Sequence, residues 1–162
     1  MDKAEELYLL PGRNIRLSEF NALIGRCQLK HLIEYVQLRR SLAKIYYEML
    51  SACSSILLVN PSVLETSSFW KFPISFSSSA LRNKVREELS RNGIDSDSAY
   101  SPPLHLQPVM QKLFSSQPGD LPYSEDILSR HLCLPVHPRM TTDDIQRVAC
   151  IIIDCCNQHS VI

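Results

Sequence analysis

The chain has 162 residues, 44% of them hydrophobic, and its 17 basic side chains balance its 17 acidic ones. That is enough apolar sequence for one domain with a core, and too much for a disordered chain. Zero net charge gives no overall field to draw it to nucleic acid, and no apolar run approaches the roughly 20 residues that span a bilayer.

The start, MDKAEELYLL, is acidic and lacks a secretory-leader pattern, so the expected location is the cytoplasm. Six cysteines (Cys27, Cys53, Cys133, Cys150, Cys155 and Cys156) form no C-x-x-C motif and are read as reduced thiols.

Taken in chain order, LLPGRNIRLSEFNALIGRCQL (residues 9–29) opens as a polar loop and runs into a helix. Ser18 is a good N-cap and Glu19 suits the helix dipole. Phe20, Leu23, Ile24 and Cys27 repeat at helical spacing, and Leu29, Val36, Ala43 and Leu50 continue with a period of seven. The two series are out of phase near residue 28, which predicts a kinked long helix or two helices end to end. Gly25 inside the first series is expected to serve close packing.

SILLVN reads as a short buried strand. In FWKFPISF the alternation puts Trp70, Phe72, Ile74 and Phe76 on one face, and Pro73 marks an edge or bulged strand. SSALRNKVREELSRNG is an amphipathic helix with Leu81, Val85 and Leu89 inward, ended by Gly93. AYSPPLHLQP is a proline-rich loop, PGDLPYSEDILSRH a turn and short helix, and LCLP a short strand. TTDDIQRVACIIIDCC closes the chain as a helix, with Thr141 and Asp144 as a capping pair and Ile145, Val148, Ala149 and Ile152 as its inner stripe. The expected class is α/β (α+β): a short, mostly antiparallel sheet packed with helices.

A helix N-terminus offers unpaired N–H groups and partial positive charge. Arg13 and Arg16 add two full charges there and Asn14 adds side-chain donors, a set that suits a phosphate or other anion. An ordinary solvated loop capped by Ser18 is the other reading of the same residues. His131, Cys133 and His137, with Cys155, Cys156 and His159, are metal-capable, but their spacing is irregular for tetrahedral zinc. No nucleophile-elbow, Walker or dinucleotide-binding motif is present.

The stretch GRNIRLSEFNALIGRCQLKHL resembles the G-x-N-x-R-x-S/T-E-x-x-A-A-x-G-x-x-Q-L segment of the DegT/DnrJ/StrS family, which are pyridoxal-phosphate (PLP) aminotransferases acting mostly on nucleotide-linked keto sugars. Gly12, Asn14, Arg16, Ser18, Glu19, Ala22, Gly25, Gln28 and Leu29 fall on that pattern. YSPPLHLQP and LPYSEDILSRHLCLPVHPRMTTDDIQRV resemble later family segments in the same order.

The resemblance implies the small domain of a fold type I aminotransferase over residues 1–162, with a cofactor or anion loop at 1–17 and a long helical segment at 18–52. It implies that Asn14 reaches the PLP phosphate of a neighbouring subunit. Arg16 lies near the substrate phosphates or the cofactor end of the site, and His105 lies beside the sugar-nucleotide pocket. Arg13 stands on the substrate side, where Tyr or Phe is common. The family's Schiff-base lysine lies well upstream of G-x-N-x-R, and only Lys3 precedes Gly12 here. The large PLP-lysine domain is therefore expected to be absent, and PLP, which supplies the electron sink, to be held only with a partner.

Two accounts follow. The chain is the small-domain part of a sugar aminotransferase, working with a large-domain chain or a homologue. Or it is a catalytically inactive remnant or interaction module that dimerises or binds a homologue through the apolar surface a missing domain leaves uncovered.

Overall fold

The computed structural model describes residues 17–159. The loop residues Arg13, Asn14 and Arg16 lie outside that range.

Helix α1 (Glu19–Leu29) starts where Ser18 Oγ accepts the Asn21 N–H at 3.3 Å. The chain breaks for two residues and resumes as α2 (Leu32–Leu50), so two helices stand end to end. No residue of α1 is buried, and α2 enters the core only at Leu42, followed by Ala43, Tyr46 and Leu50. Gly25, expected in close packing, has open space where a Cβ would stand, on a helix with no buried residue among those described.

Among the described residues the sheet has three antiparallel strands in the order β1 (Ile56–Leu58), β2 (Phe72–Phe76), β3 (His131–Leu134). Strand β1 departs from expectation. It is a half-buried edge strand whose Leu57 is exposed to solvent, and among the described residues only β2 pairs with it.

Pro73 lies on the central strand, not on an edge. It sits opposite Cys133, whose own N–H and C=O turn the other way, to Asp97. The missing donor of Pro73 therefore faces the β1 side, and β1 pairing ends one residue earlier, at Leu58 opposite Ile74. No ladder bond is lost.

Trp70 is also placed differently, 63% exposed and outside β2. Phe69, in the left-handed region at φ 43°, turns inward against Phe72 instead, and the regular alternation starts only at Phe72.

On one face of the sheet the cross-strand pairs Phe72–Leu134 and Ile74–Leu132 meet the helices. Helix α7 (Thr142–His159) lies in contact with both α2 and α4 (Ser79–Arg91) over that face. Leu81, Val85 and Leu89 of α4 are fully buried, as are Ile145, Ala149 and Ile152 of α7, with Val148 nearly so.

Caps fix the ends of both helices. Ser78 Oγ accepts from Leu81 N–H, and Gly93 at φ 73° takes the residue after the C-cap of α4. Thr141 and Asp144 exchange side-chain and backbone bonds at 2.8 and 3.2 Å.

On the other face, Ser75 and His131 are covered by the segment from Asp97 and by α6 (Pro122–Arg130), which is why all four residues of β3 are buried. Two short helices, α3 (Val63–Thr66) and α5 (Pro108–Phe114), stand where the sequence reading named no element.

Candidate functional site

Of the cofactor- and substrate-side residues read from the sequence (Arg13, Asn14, Arg16 and His105), His105 is the one the structure describes. It sits in a single 3-10 turn, Leu104–Leu106, between Pro103 and α5. Its side chain is only 10% exposed, and Nε2 lies 3.0 Å from Glu125 Oε1. The Glu125 carboxylate also accepts the Gly119 N–H at 2.9 Å and the Leu121 N–H at 3.3 Å. The His105 hydrogen bond first, then the Gly119 N–H, holds this carboxyl below its ordinary range. Glu125 thus gathers the 3-10 turn, the Gly119 turn and the start of α6 around one anion.

The segment leading to His105 is fixed from both ends. Buried Gln107 donates to Pro102 C=O at 3.2 Å, and the His131 ring bridges Ala99 C=O and Leu128 C=O. His131 is therefore engaged by main-chain oxygens. Among the described residues no cluster of three or more His, Cys, Asp or Glu could hold a metal ion. Next to this segment, Lys71 pairs with Asp97 and lies 4.4 Å over the exposed Trp70 ring.

A second feature is apolar. Along α1, Phe20 is 72%, Leu23 58% and Ile24 49% exposed, and Leu32 and Ile33 extend the exposure into α2. Spaced by three and four, the first three form one side of the helix. Sequence periodicity finds this stripe but cannot say whether it faces a core.

A Schiff-base cofactor requires an unpaired lysine held in a pocket that seats its ring and phosphate. Lys44 is tied to Glu65 at 2.7 Å and Lys71 to Asp97, Lys30 and Lys112 are exposed, and Lys84 stands near the Cys155 and Cys156 thiols. On their own these residues do not fit PLP, and no step is derived through it.

Comparison with known proteins places the fold first. The chain superposes on Helicobacter pylori PseC, an aminotransferase of pseudoaminic acid biosynthesis, with TM-score 0.78 at 24% identity, covering 98% of this chain and 42% of that one. S. venezuelae DesV gives TM-score 0.74 at 25% identity, covering 96% of this chain and 41% of that one. These neighbours are fold type I aminotransferases, of which this small α/β unit is a part.

Residues 1–153 match the model of the DegT/DnrJ/EryC1/StrS aminotransferase family, and the chain belongs to that family. PLP is the family's cofactor. The dTDP-4-amino-4,6-dideoxy-D-glucose transaminase of Escherichia coli is 26% identical over 153 residues, 93% of this chain and 41% of that protein. The UDP-N-acetyl-3-dehydro-alpha-D-glucosamine 3-aminotransferase of Acidithiobacillus ferrooxidans is 32% identical over 142 residues, 87% and 36%. The chain thus spans about two fifths of the length of the relatives it matches. No helix among the described residues is long and apolar enough to cross a membrane.

Proposed function

We propose that this chain is the small-domain part of a PLP-dependent nucleotide-sugar aminotransferase, acting in the cytoplasm in a shared site with a lysine-bearing large-domain polypeptide or homologue. The observation that carries the reading is the apolar stripe of α1, exposed among the described residues directly after the G-x-N-x-R motif. A helix with an apolar side left exposed among the described residues is suited to pack on another surface.

In this reading Asn14 and Arg16 bind the cofactor phosphate, and Arg13 and His105 stand on the substrate side. His105 brings a ring whose Nε2 is already held by Glu125, so its orientation is set before substrate arrives. The same stripe also suits an inactive module that self-associates or binds a homologue, which is the second reading.

A tagged full chain recovered from its native extract separates them, read by mass spectrometry and by PLP absorbance. A co-purifying lysine-bearing aminotransferase polypeptide with bound PLP, and less PLP retained with Asn14→Ala, is the expected result. A chain recovered colourless, alone or as a homo-oligomer, would sink the first reading and leave the second.

A further inference from the structure

His105 has one ring nitrogen tied and one left over. The 3-10 turn that carries it closes on itself, with Leu106 N–H donating to Pro103 C=O at 2.9 Å and Gln107 N–H to Leu104 C=O at 3.1 Å, so its main chain is set. Nε2 lies 3.0 Å from Glu125 Oε1. Nδ1 has no hydrogen-bond partner among the described residues. Yet it is not one of the side-chain atoms buried there without a partner, which are Arg39 Nε and Arg82 Nε. Nδ1 therefore reaches the surface of a side chain that is otherwise almost covered.

Resting on the reading of this chain as part of a nucleotide-sugar aminotransferase, we propose that Glu125 is the positioning residue of this site. It keeps the His105 hydrogen on Nε2 and presents Nδ1 as a hydrogen-bond acceptor, so that His105 recognises a sugar hydroxyl of the nucleotide sugar rather than its phosphates. An ionised carboxylate only accepts. Glu125 takes the Gly119 N–H on both oxygens, at 2.9 and 3.1 Å, and the Leu121 N–H at 3.3 Å, an environment that suits the ionised form. Nε2 must therefore donate to it, and in the neutral ring that leaves the lone pair on Nδ1.

The arrangement selects the ligand group. A bare Nδ1 takes an O–H and offers a phosphate oxygen no donor. The Glu125 charge behind the ring also repels a phosphate. A ligand that lacks the matching hydroxyl leaves a covered acceptor unpaired, and sites of that kind discriminate strongly against such analogues. Glu125 needs no contact with the ligand in this arrangement, because it acts through the His105 ring.

The test has two arms. In the first, the full chain carrying isotope-labelled histidine is read by NMR at pH 8, with the His105 signals assigned by their loss in His105→Asn. One tautomer is expected, its hydrogen on Nε2 and slow to exchange with water, and Glu125→Ala should lose that protection. A hydrogen on Nδ1 or on both nitrogens would overturn the proposal, as would a wild-type Nε2 hydrogen that exchanges as fast as in Glu125→Ala. The second arm measures Kd of the PLP-loaded complex for UDP-glucose and dTDP-glucose, and for UDP and dTDP alone. His105→Phe should weaken the sugar nucleotide about tenfold and leave the nucleoside diphosphate unchanged. His105→Asn, which keeps an acceptor near the Nδ1 position, should restore most of the loss. Equal weakening of sugar nucleotide and diphosphate would assign His105 to the phosphates and refute the hydroxyl role. A chain with the expected tautomer that recovers no PLP-bearing partner would instead sink the aminotransferase reading, and the hydroxyl role with it, while Glu125 would stand as the residue that sets the ring.

Discussion

Replacing Phe20 and Ile24 together with Ser separates a docking face from a folding core. Full burial of a Phe or Ile side chain is worth roughly 2.5 kcal/mol. With Phe20 72% and Ile24 49% exposed, a partner that covers both gains about 3 kcal/mol, or about a hundredfold in Kd. Neither residue is buried in the described structure, and Ser differs little from them in helix propensity, so folding stability should change by less than about 0.5 kcal/mol. The measurements are a urea titration followed by circular dichroism and recovery of the large-domain polypeptide on the tagged chain. An unchanged midpoint with recovery lost is expected. A loss above about 1 kcal/mol in the melt would place the stripe in the domain's own core, and undiminished recovery would place the partner elsewhere.

Other perturbations test the scaffold. Tyr46 is fully buried, stacks on Phe72 and donates its hydroxyl to Pro135 C=O at 3.1 Å. Tyr46→Phe should cost about 1–2 kcal/mol, a Tm drop of roughly 3–6 °C. Burial, then the Asp144 charge, raises the Tyr46 phenol, so its stabilisation is complete below the unfolded value near 10 and fades as pH rises beyond it. The alkaline slope of the wild-type melt should accordingly be smaller in Tyr46→Phe.

Glu125 shows the opposite sign, because its lowered carboxyl stabilises above the unfolded value of about 4.5 and ceases to as pH falls through the folded one. Glu125→Gln should flatten that acid limb and speed amide exchange at Gly119 and Leu121, and unchanged exchange would contradict the latch. Thr141→Ala removes the acceptor of the Asp144 N–H and should destabilise by about 1 kcal/mol in urea, with fraying confined to the first turn of α7.

Helices α4 and α7 were legible in the sequence because each carries an apolar stripe of the right period between recognisable caps, and such local signals are decided within one element. The strands were harder. Nothing in SILLVN says that it stands at the edge of the described sheet, and the alternation of FWKFPISF gives no sign that Phe69 takes a left-handed turn and displaces Trp70. Pro73 misled for a physical reason: proline excludes a ladder bond on one side only, and β1 is too short to need it. Helices α3 and α5, of four and seven residues, are below the length at which periodicity can speak. His105 was found through its motif, but its partner Glu125 lies 20 residues on, so the pairing required the fold.

The core begins at Leu42, and this decides how the motif loop could be controlled. From Glu19 to Leu42 the chain follows about 30 Å of helix axis with no buried anchor. The core formed by the described residues therefore does not hold the start of α1 in place, and a surface that seats α1 would. Cofactor retention through Asn14 and docking through Phe20 and Ile24 should then be ordered events. Asn14→Ala should lose PLP from a complex that still assembles, whereas the Phe20→Ser, Ile24→Ser variant should lose assembly and PLP together. Docking lost with PLP still bound to the chain would show that residues 1–17 hold the cofactor without help from α1, and the proposed division of labour would fail.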